Sequence, residues 1–234
     1  MGVFKTLLKT GLWTGVGSAA GVGGTMAYIL SSSQIVDLPR DDPMFRDRTY
    51  GWYNPRGTPA LSDVVIKRVP LSKIKPELRN SEEALTLEFC RGVWGRWGFW
   101  PQTKYQQKYD RPPKTDDNLW DIKELAQAKF DRGLRIVNHF EVVNKKRNEI
   151  WIRCGGSPMD SGLRKSDGLI VLGARIDKAA QEVEFTFKSS LFNSSAPKPP
   201  RGSDLKHSMP AKIVTLHQWY VKILTESAMG RVLA

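Results

Sequence analysis

Apolar and polar residues alternate most regularly at positions 182–188, where Val183, Phe185 and Phe187 occupy every second position. A repeat of two residues places these side chains on one side of a β-strand and the charged residues between them on the other. Alternation or a short apolar run predicts four more strands, at positions 62–69, 135–143, 149–154 and 168–176. The pattern therefore predicts a sheet whose last four strands follow one another closely.

Three segments have apolar residues three and four positions apart, the spacing that gives a helix one apolar side. The first covers 82–97, and the residues Ser81, Glu82 and Glu83 at its start are typical of a helix N-terminus. The second covers 118–130. The third and longest runs from about Pro210 to Arg231, and proline suits a first helical turn.

The predicted order is strand, helices, antiparallel meander and long C-terminal helix. It indicates an α+β domain over residues 61–234, with a curved antiparallel sheet packed against the last helix. In layout it resembles the helix-grip (Bet v 1/START-like) superfamily. The features that carry this resemblance are Gly162, Asp167-Gly168-Leu169, the strand at 182–188, Ser190 and the closing helix with Tyr220. The resemblance implies a cavity for an apolar ligand between the sheet and that helix.

The first 36 residues differ from the rest, because the only ionisable side chain from Thr10 to Val36 is that of Tyr28. A bilayer core of ~30 Å needs about 20 apolar residues, so residues 1–36 are predicted to form a Gly-rich transmembrane helix. Small residues spaced for membrane helix association are Gly11, Gly15, Gly17 and Gly21. Residues 37–60 are predicted to form an extended connector. The protein would then be a single-pass membrane protein, of a mitochondrial or an endoplasmic reticulum membrane.

Three other interpretations of this segment stay open. A cleaved signal peptide has a shorter apolar region, and a mitochondrial presequence is rich in arginine, whereas the first arginine here is Arg40. Gly2 and Thr6 fit the loose myristoylation pattern M-G-x-x-x-[ST]. The G-x-G-x-x-A at positions 15–20 follows no predicted strand, so a dinucleotide-binding loop is excluded.

Composition places the remaining chain among ordinary globular proteins, with 40% hydrophobic and 26% charged residues overall. The formal net charge is +12, but the cations are scattered and form no long Lys/Arg tract, so a nucleic-acid partner is not predicted. For an anchored domain the basic surface favours anionic lipid as a partner. The two cysteines, Cys90 and Cys154, form neither a CxxC pair nor a disulfide framework.

The densest aromatic cluster lies at the end of the first predicted helix and contains Trp94, Trp97, Phe99 and Trp100. Together with Phe140 and Tyr220, these residues are the predicted lining of an apolar ligand cavity. The alternative is ordinary core packing, which is the commonest role of aromatic side chains.

His139 and Glu141 are the candidate catalytic residues, since a histidine and a carboxylate on one side of a strand can act as general base and orienting group. If that side faces water, they are plain surface residues. The glycine-rich segment 155–162 is either a ligand-contacting lid or a hairpin connection. The three histidines lack metal-ligand spacing, so neither a metal nor a cofactor is predicted.

Three functions follow as hypotheses. The first is a membrane-tethered module that binds a lipid, sterol or polyketide-like molecule in a cavity under the C-terminal helix. The second is a cofactor-free cyclase or isomerase that uses the same cavity. The third is a structural or assembly protein of an organelle membrane, whose domain docks on partners.

Overall fold

A computed structural model describes residues 19–111, 117–200, 207 and 209–234. The strands within these ranges are β1 (Gln34–Asp37), β2 (Leu61–Pro70), β3 (Asn118–Leu119), β4 (Arg135–Ile136), β5 (Phe140–Lys146), β6 (Glu149–Gly155), β7 (Asp167–Asp177) and β8 (Glu182–Phe192). The helices are α1 (Ala19–Ser31), α2 (Pro43–Arg46), α3 (Arg48–Tyr53), α4 (Glu82–Trp94), α5 (Trp100–Tyr109), α6 (Ile122–Leu125) and α7 (Ala211–Val232). Two short 3₁₀ turns, Leu71–Lys73 and Pro76–Leu78, lead from β2 to α4.

The strands form one sheet in the order β1-β2-β8-β7-β6-β5-β4-β3. Neighbouring strands are antiparallel except β3 and β4, which pair in parallel. The α+β class and the long C-terminal helix are therefore confirmed, while the sheet is mixed and not purely antiparallel.

The prediction of a transmembrane helix is wrong for the part of the N-terminal segment that is described. None of the helices in the described ranges combines the length and the apolar character that crossing a membrane requires. α1 has 13 residues, or about 20 Å at 1.5 Å per residue, and the chain then turns into the edge strand β1. Ile29 is buried, and the carbonyl of Leu30 accepts a hydrogen bond from Lys222 Nζ at 2.6 Å, so the end of α1 belongs to the folded domain.

For the described residues, the predicted single-pass location in a mitochondrial or endoplasmic reticulum membrane is wrong for the same reason. A run without charges does not have to be one continuous helix, and here it ends in a strand. Positions 1–18 of the predicted anchor lie outside the described residues, and Gly11, Gly15 and Gly17 are among them. Helix association through these glycines and Gly21 stays a prediction.

Both sides of the sheet are covered. On the inner side, α4 and α7 enclose a core that includes Val65, Phe89, Phe185 and Leu224. On the outer side, a smaller core includes Met44, Trp151 and Val171. β7 is buried on both sides over residues 167–174, and residues 168–174 accordingly form an apolar run without alternation.

Where the sequence predicts an extended connector, the structure has the two short helices that cover the outer side. The carboxylate of Asp42 accepts from the N–H of Met44 at 2.8 Å, and that of Asp47 accepts from the N–H of Thr49 at 2.7 Å. These are N-terminal caps of α2 and α3. The same carboxylates pair with Lys188 and Lys146 of the sheet, which attaches both helices to it.

Gly92 is required where α4 crosses α7. A Cβ at this position would lie 2.6 Å from the Cα of Ala228, which is backbone and has no side-chain rotation to relieve the contact. We expect Gly92→Ala to lower the free energy of unfolding by about 1–3 kcal/mol, as overpacking does in cores. Urea denaturation measures this change.

Gly51→Ala is the matched control for that experiment, because Gly51 is also helical and a Cβ there would meet nothing within 4 Å. Alanine has the higher helix propensity, so the control protein should be as stable as the parent or slightly more stable. Equal stability of the two variants would contradict the close helix crossing.

Candidate functional site

A small concave site lies on the outer side of the sheet. It is lined by Trp52 and Tyr53 of α3, Arg153 of β6, and Gly162 and Leu163 of the loop between β6 and β7, and its volume is about 100 Å³. Trp52 is 79% exposed at its rim, the most exposed of the large hydrophobic side chains described. The pocket therefore combines an arginine with aromatic and aliphatic walls.

Arg153 is the charged group of this pocket. Its Nε and Nη2 donate to the two carboxylate oxygens of the buried Asp167 at 2.8 and 2.7 Å, and Nη2 also donates to the carbonyl of Gly162 at 2.7 Å. Its guanidinium lies 4.7 Å from the ring centroid of Tyr53. Among the described residues, Nη1 has no hydrogen-bond acceptor.

The electrostatics of the pocket follow from burial and this pairing. Burial disfavours the Arg153 cation, but its hydrogen bonds to the Asp167 carboxylate and the charge of that carboxylate outweigh burial, and the pKa of Arg153 is raised above its ordinary value. Burial also raises the pKa of Tyr53, although Arg153 opposes that rise. At neutral pH the pocket thus presents a charged guanidinium beside a neutral phenol.

The loop at 156–166 forms one wall, and the side chain of Arg164 stabilises its conformation from within the loop. This side chain donates to the carbonyls of Gly156 at 3.1 Å and Asp160 at 2.8 Å. Burial, and after it the charge of Arg153, lowers the pKa of Arg164. The Ser194 hydroxyl accepts from the Arg164 N–H at 2.8 Å and lies 2.6 Å from Asp167 Oδ2, to which it donates. The loop and the arginine are therefore positioned by one hydrogen-bonded network.

A larger and more open groove, of about 470 Å³, lies at the other end of the sheet. It is lined by Asn80, Glu82, Arg147, Arg175, Ile176, Asp177 and Lys178. Glu82 Oε1 accepts from the N–H of Ile176 at 2.9 Å, and Asp177 Oδ1 accepts from the N–H groups of Ala179 and Ala180. The carboxylates that line this groove thus stabilise the local backbone, and the lysine and arginine side chains that line it lie on an open surface.

The candidate catalytic residues His139 and Glu141 are oriented by different neighbours. Glu141 stands in cross-strand register between Arg135 and Arg153, near the pocket just described. His139 lies before β5, with Nδ1 2.9 Å from the carbonyl of Gly155 and Nε2 3.4 Å from Asp110 Oδ2. No hydrogen bond joins His139 to Glu141 in the described part of the chain.

Of the six aromatic residues predicted to line a ligand cavity, four make contacts within the fold and two are half exposed. Trp94, Phe99 and Phe140 pack on one another, with ring centroids 4.7–5.9 Å apart. Tyr220 donates its hydroxyl hydrogen bond to Gln102 Oε1 at 2.6 Å, and burial raises its pKa. Trp97 and Trp100 are half exposed instead.

A buried polar cluster that the sequence did not indicate joins β2, β8 and α7. The Ser189 hydroxyl donates to Asp63 Oδ1 and lies 2.9 Å from His217 Nε2, which is itself 3.4 Å from Asp63 Oδ1. In a catalytic triad the serine and the carboxylate contact opposite nitrogens of the histidine. Here both contact Nε2 and Ser189 is fully buried, so the cluster links the elements of the fold. The available signal was a polar pair, Asp63 and Ser189, at core-facing strand positions.

Neither cysteine is a candidate nucleophile. Both thiols are buried, and burial raises the pKa of Cys90 well above its ordinary value and that of Cys154 to about 12. Since the thiolate is the reactive form, both groups are unreactive in the folded protein at neutral pH.

Comparison with known proteins adds no relative from which a role could be transferred: no protein family model, no curated protein and no solved structure matches this chain.

Proposed function

We propose that this protein is a docking module for an acidic protein partner, and that the pocket at Arg153 takes a carboxylate side chain of that partner. The observation that carries the proposal is the exposed Trp52 at the rim of a pocket containing a buried arginine. The proposal keeps one part of the third hypothesis, a domain that docks on partners, and leaves out its location at an organelle membrane.

The chemistry of the pocket supports a carboxylate as the anchor. Arg153 is held in place by Asp167, and its Nη1 has no acceptor among the described residues, so an incoming carboxylate can accept from it without breaking an existing bond. Charge-assisted hydrogen bonds to arginine are among the stronger ones in proteins. A volume of about 100 Å³ suits the end of a side chain more than a whole metabolite.

The surroundings support a protein as the source of that carboxylate. Trp52 and Leu163 line the pocket and are exposed large apolar side chains, and Met159 of the same loop as Leu163 is exposed as well. Tryptophan, methionine and arginine are enriched at protein interfaces. Residues that dominate binding energy are most often Trp, Tyr and Arg. The net charge of +12 favours an acidic partner, mainly through the association rate.

The ligand-carrier and cyclase hypotheses have less support. Both need a cavity under α7, and four of the residues predicted to line it are engaged in packing or in a hydrogen bond to the protein itself. They stay predictions, and native mass spectrometry of the purified protein would reveal a bound apolar molecule.

The pocket chemistry is tested with propionate and propionamide, two small probes that differ in charge. In protein labelled with 5-fluorotryptophan, we expect millimolar propionate to shift the ¹⁹F resonance of Trp52, assigned with Trp52→Phe. Propionamide should leave it unchanged, because it carries no charge for Arg153. Equal shifts from both probes, or none, would contradict an anion-binding pocket.

The docking role is tested by photo-crosslinking with benzoylphenylalanine placed at position 52 or 163. The control position is 219 on α7, whose tryptophan is 49% exposed on the other side of the sheet. We expect one partner to crosslink from 52 and 163 only, and Leu163→Glu to weaken its affinity at least 10-fold without lowering the melting temperature. Equal crosslinking from position 219 would count against this surface.

A further inference from the structure

The ring of His139 has a defined orientation. Its Nδ1 lies 2.9 Å from the carbonyl oxygen of Gly155, which can only accept a hydrogen bond. Nδ1 therefore carries a proton and donates it. In the neutral imidazole the other nitrogen, Nε2, is then an acceptor with a free lone pair.

A second acceptor lies beside this nitrogen. Nε2 lies 3.4 Å from Asp110 Oδ2, and both atoms are buried without a hydrogen-bond partner among the described residues. Gln106 Oε1 is a third buried acceptor that has no hydrogen-bond partner among the described residues. Gln106 lies in the last turn of α5, and Asp110 is the residue that caps it, with its N–H donating to the Gln106 carbonyl at 2.8 Å, so the two residues are about one helical turn apart. Buried polar groups without partners are rare, and two such atoms 3.4 Å apart, with a third on the residue one helical turn away, need an explanation.

The separation of the first two atoms fits ligands of one metal ion. Zinc binds histidine nitrogen and carboxylate oxygen at about 2.0–2.2 Å, so two such ligands at a tetrahedral angle are about 3.4 Å apart. A metal-binding histidine also typically donates its other N–H to a carbonyl or carboxylate, which fixes the tautomer. The bond from His139 to Gly155 is that arrangement.

The backbone before His139 is strained. Val137 and Asn138 have φ values of +43° and +57°, and a positive φ at a β-branched residue is an outlier. Two bonds stabilise this conformation: the Asn138 N–H donates to Asn118 Oδ1 at 3.0 Å, and the Ser157 hydroxyl donates to Asn138 Oδ1 at 2.7 Å. Strain of this kind persists where the surroundings impose it and is concentrated at functional sites.

We propose that His139 Nε2, Asp110 Oδ2 and Gln106 Oε1 bind a divalent transition-metal ion, with the remaining coordination positions open to water or a substrate. In the described part of the chain no three His, Cys, Asp or Glu side chains converge. The third ligand proposed here is therefore an amide oxygen, that of Gln106, one helical turn before Asp110. Imidazole combined with oxygen ligands suits Zn²⁺, Co²⁺ or Mn²⁺. The site departs from the sequence-based expectation of no metal.

The competing explanation is an ion pair, in which Nε2 carries a second proton and attracts Asp110 directly. In the first explanation a metal ion lies between His139 Nε2 and Asp110 Oδ2, and in the second the two atoms attract each other directly. The two explanations also differ in the role of Gln106, which an ion pair does not use.

The test uses the full-length protein treated with EDTA, dialysed at pH 7.5 and titrated with CoCl₂ while the visible absorption is recorded. We expect one Co²⁺ per chain, with the intense d–d bands of a four- or five-coordinate ion, and a rise in melting temperature on metal binding. His139→Ala, His139→Gln, Asp110→Asn and Gln106→Ala should each weaken the Co²⁺ affinity at least 10-fold.

His207→Ala is the matched control, since His207 lies in a loop far along the chain, and this variant should bind Co²⁺ like the parent. Two substitutions at position 139 guard against loss of folding, which circular dichroism detects. Absence of one-to-one Co²⁺ binding by the parent, or unchanged affinity in the His139 and Asp110 variants, would overturn the proposal in favour of the ion pair.

Discussion

Arg153→Met is expected to lower the free energy of unfolding by about 3–5 kcal/mol, the usual result of removing one partner from a buried ion pair. The substitution leaves the Asp167 carboxylate buried without a cation, and among the described residues only Ser194 and the N–H of Gly168 still donate to it. The long apolar side chain of methionine keeps most of the packing volume, so the loss reports on charge. Equilibrium denaturation in urea measures it.

Two further variants show whether that loss of unfolding free energy is due to charge or to packing. Arg68→Met removes a similar pairing, with Glu184, but Arg68 is about half exposed, so we expect a change of at most about 1 kcal/mol. The double variant Arg153→Met/Asp167→Leu should be more stable than Arg153→Met alone, because no uncompensated charge stays buried. A double variant less stable than the single one would show that the arginine acts by packing and not by charge.

His217→Leu is the second substitution for which we expect a loss of about 3–5 kcal/mol. Asp63 is almost fully buried, its Oδ2 has no hydrogen-bond partner among the described residues, and its Oδ1 depends on Ser189 and His217. Without the histidine, the described part of the chain leaves the carboxylate one hydroxyl donor and no contacting group that can carry positive charge. Thermal unfolding followed by circular dichroism would show the loss as a large fall in melting temperature.

The control for this variant is Thr215→Leu, an exposed position on the same helix, where we expect a change within about 0.5 kcal/mol. The pair Asp63→Leu/His217→Leu should recover part of the stability lost by His217→Leu. A loss below about 1 kcal/mol in His217→Leu would mean that the carboxylate finds another donor, and that the cluster does not hold α7 on the sheet.

The regular parts of the fold were predictable from the chain. Val183, Phe185 and Phe187 are buried and the residues between them are partly exposed, as their alternation indicates. The continuous apolar run of β7 already implied cover on both sides of the sheet. The helices α2 and α3 were missed because four and six residues are too few to show a helical period. Their capping residues, Asp42 and Asp47, were a usable signal.

The candidate site was predictable only in pieces. The glycine-rich segment at 155–162 was recognised as a candidate for ligand contact. Trp52 was not recognised, because nothing in its neighbourhood along the chain distinguishes an exposed tryptophan from a core tryptophan. It lies 101 positions before Arg153 in the numbering and reaches the pocket only because α3 packs on the outer side of the sheet.

Strands and helices could be inferred from the sequence because each shows its own spacing of apolar residues within a single segment. In a strand every second side chain is buried, and in a helix the buried side chains are three and four positions apart. Asp63 and His217 are 154 positions apart and share a hydrogen-bonded cluster only once α7 lies across β2 and β8. His139 and Asp110 likewise meet because a strained turn and the end of α5 are brought together. Both of these polar contacts therefore join segments that are distant along the chain, and the spacing of apolar residues within one segment does not predict them.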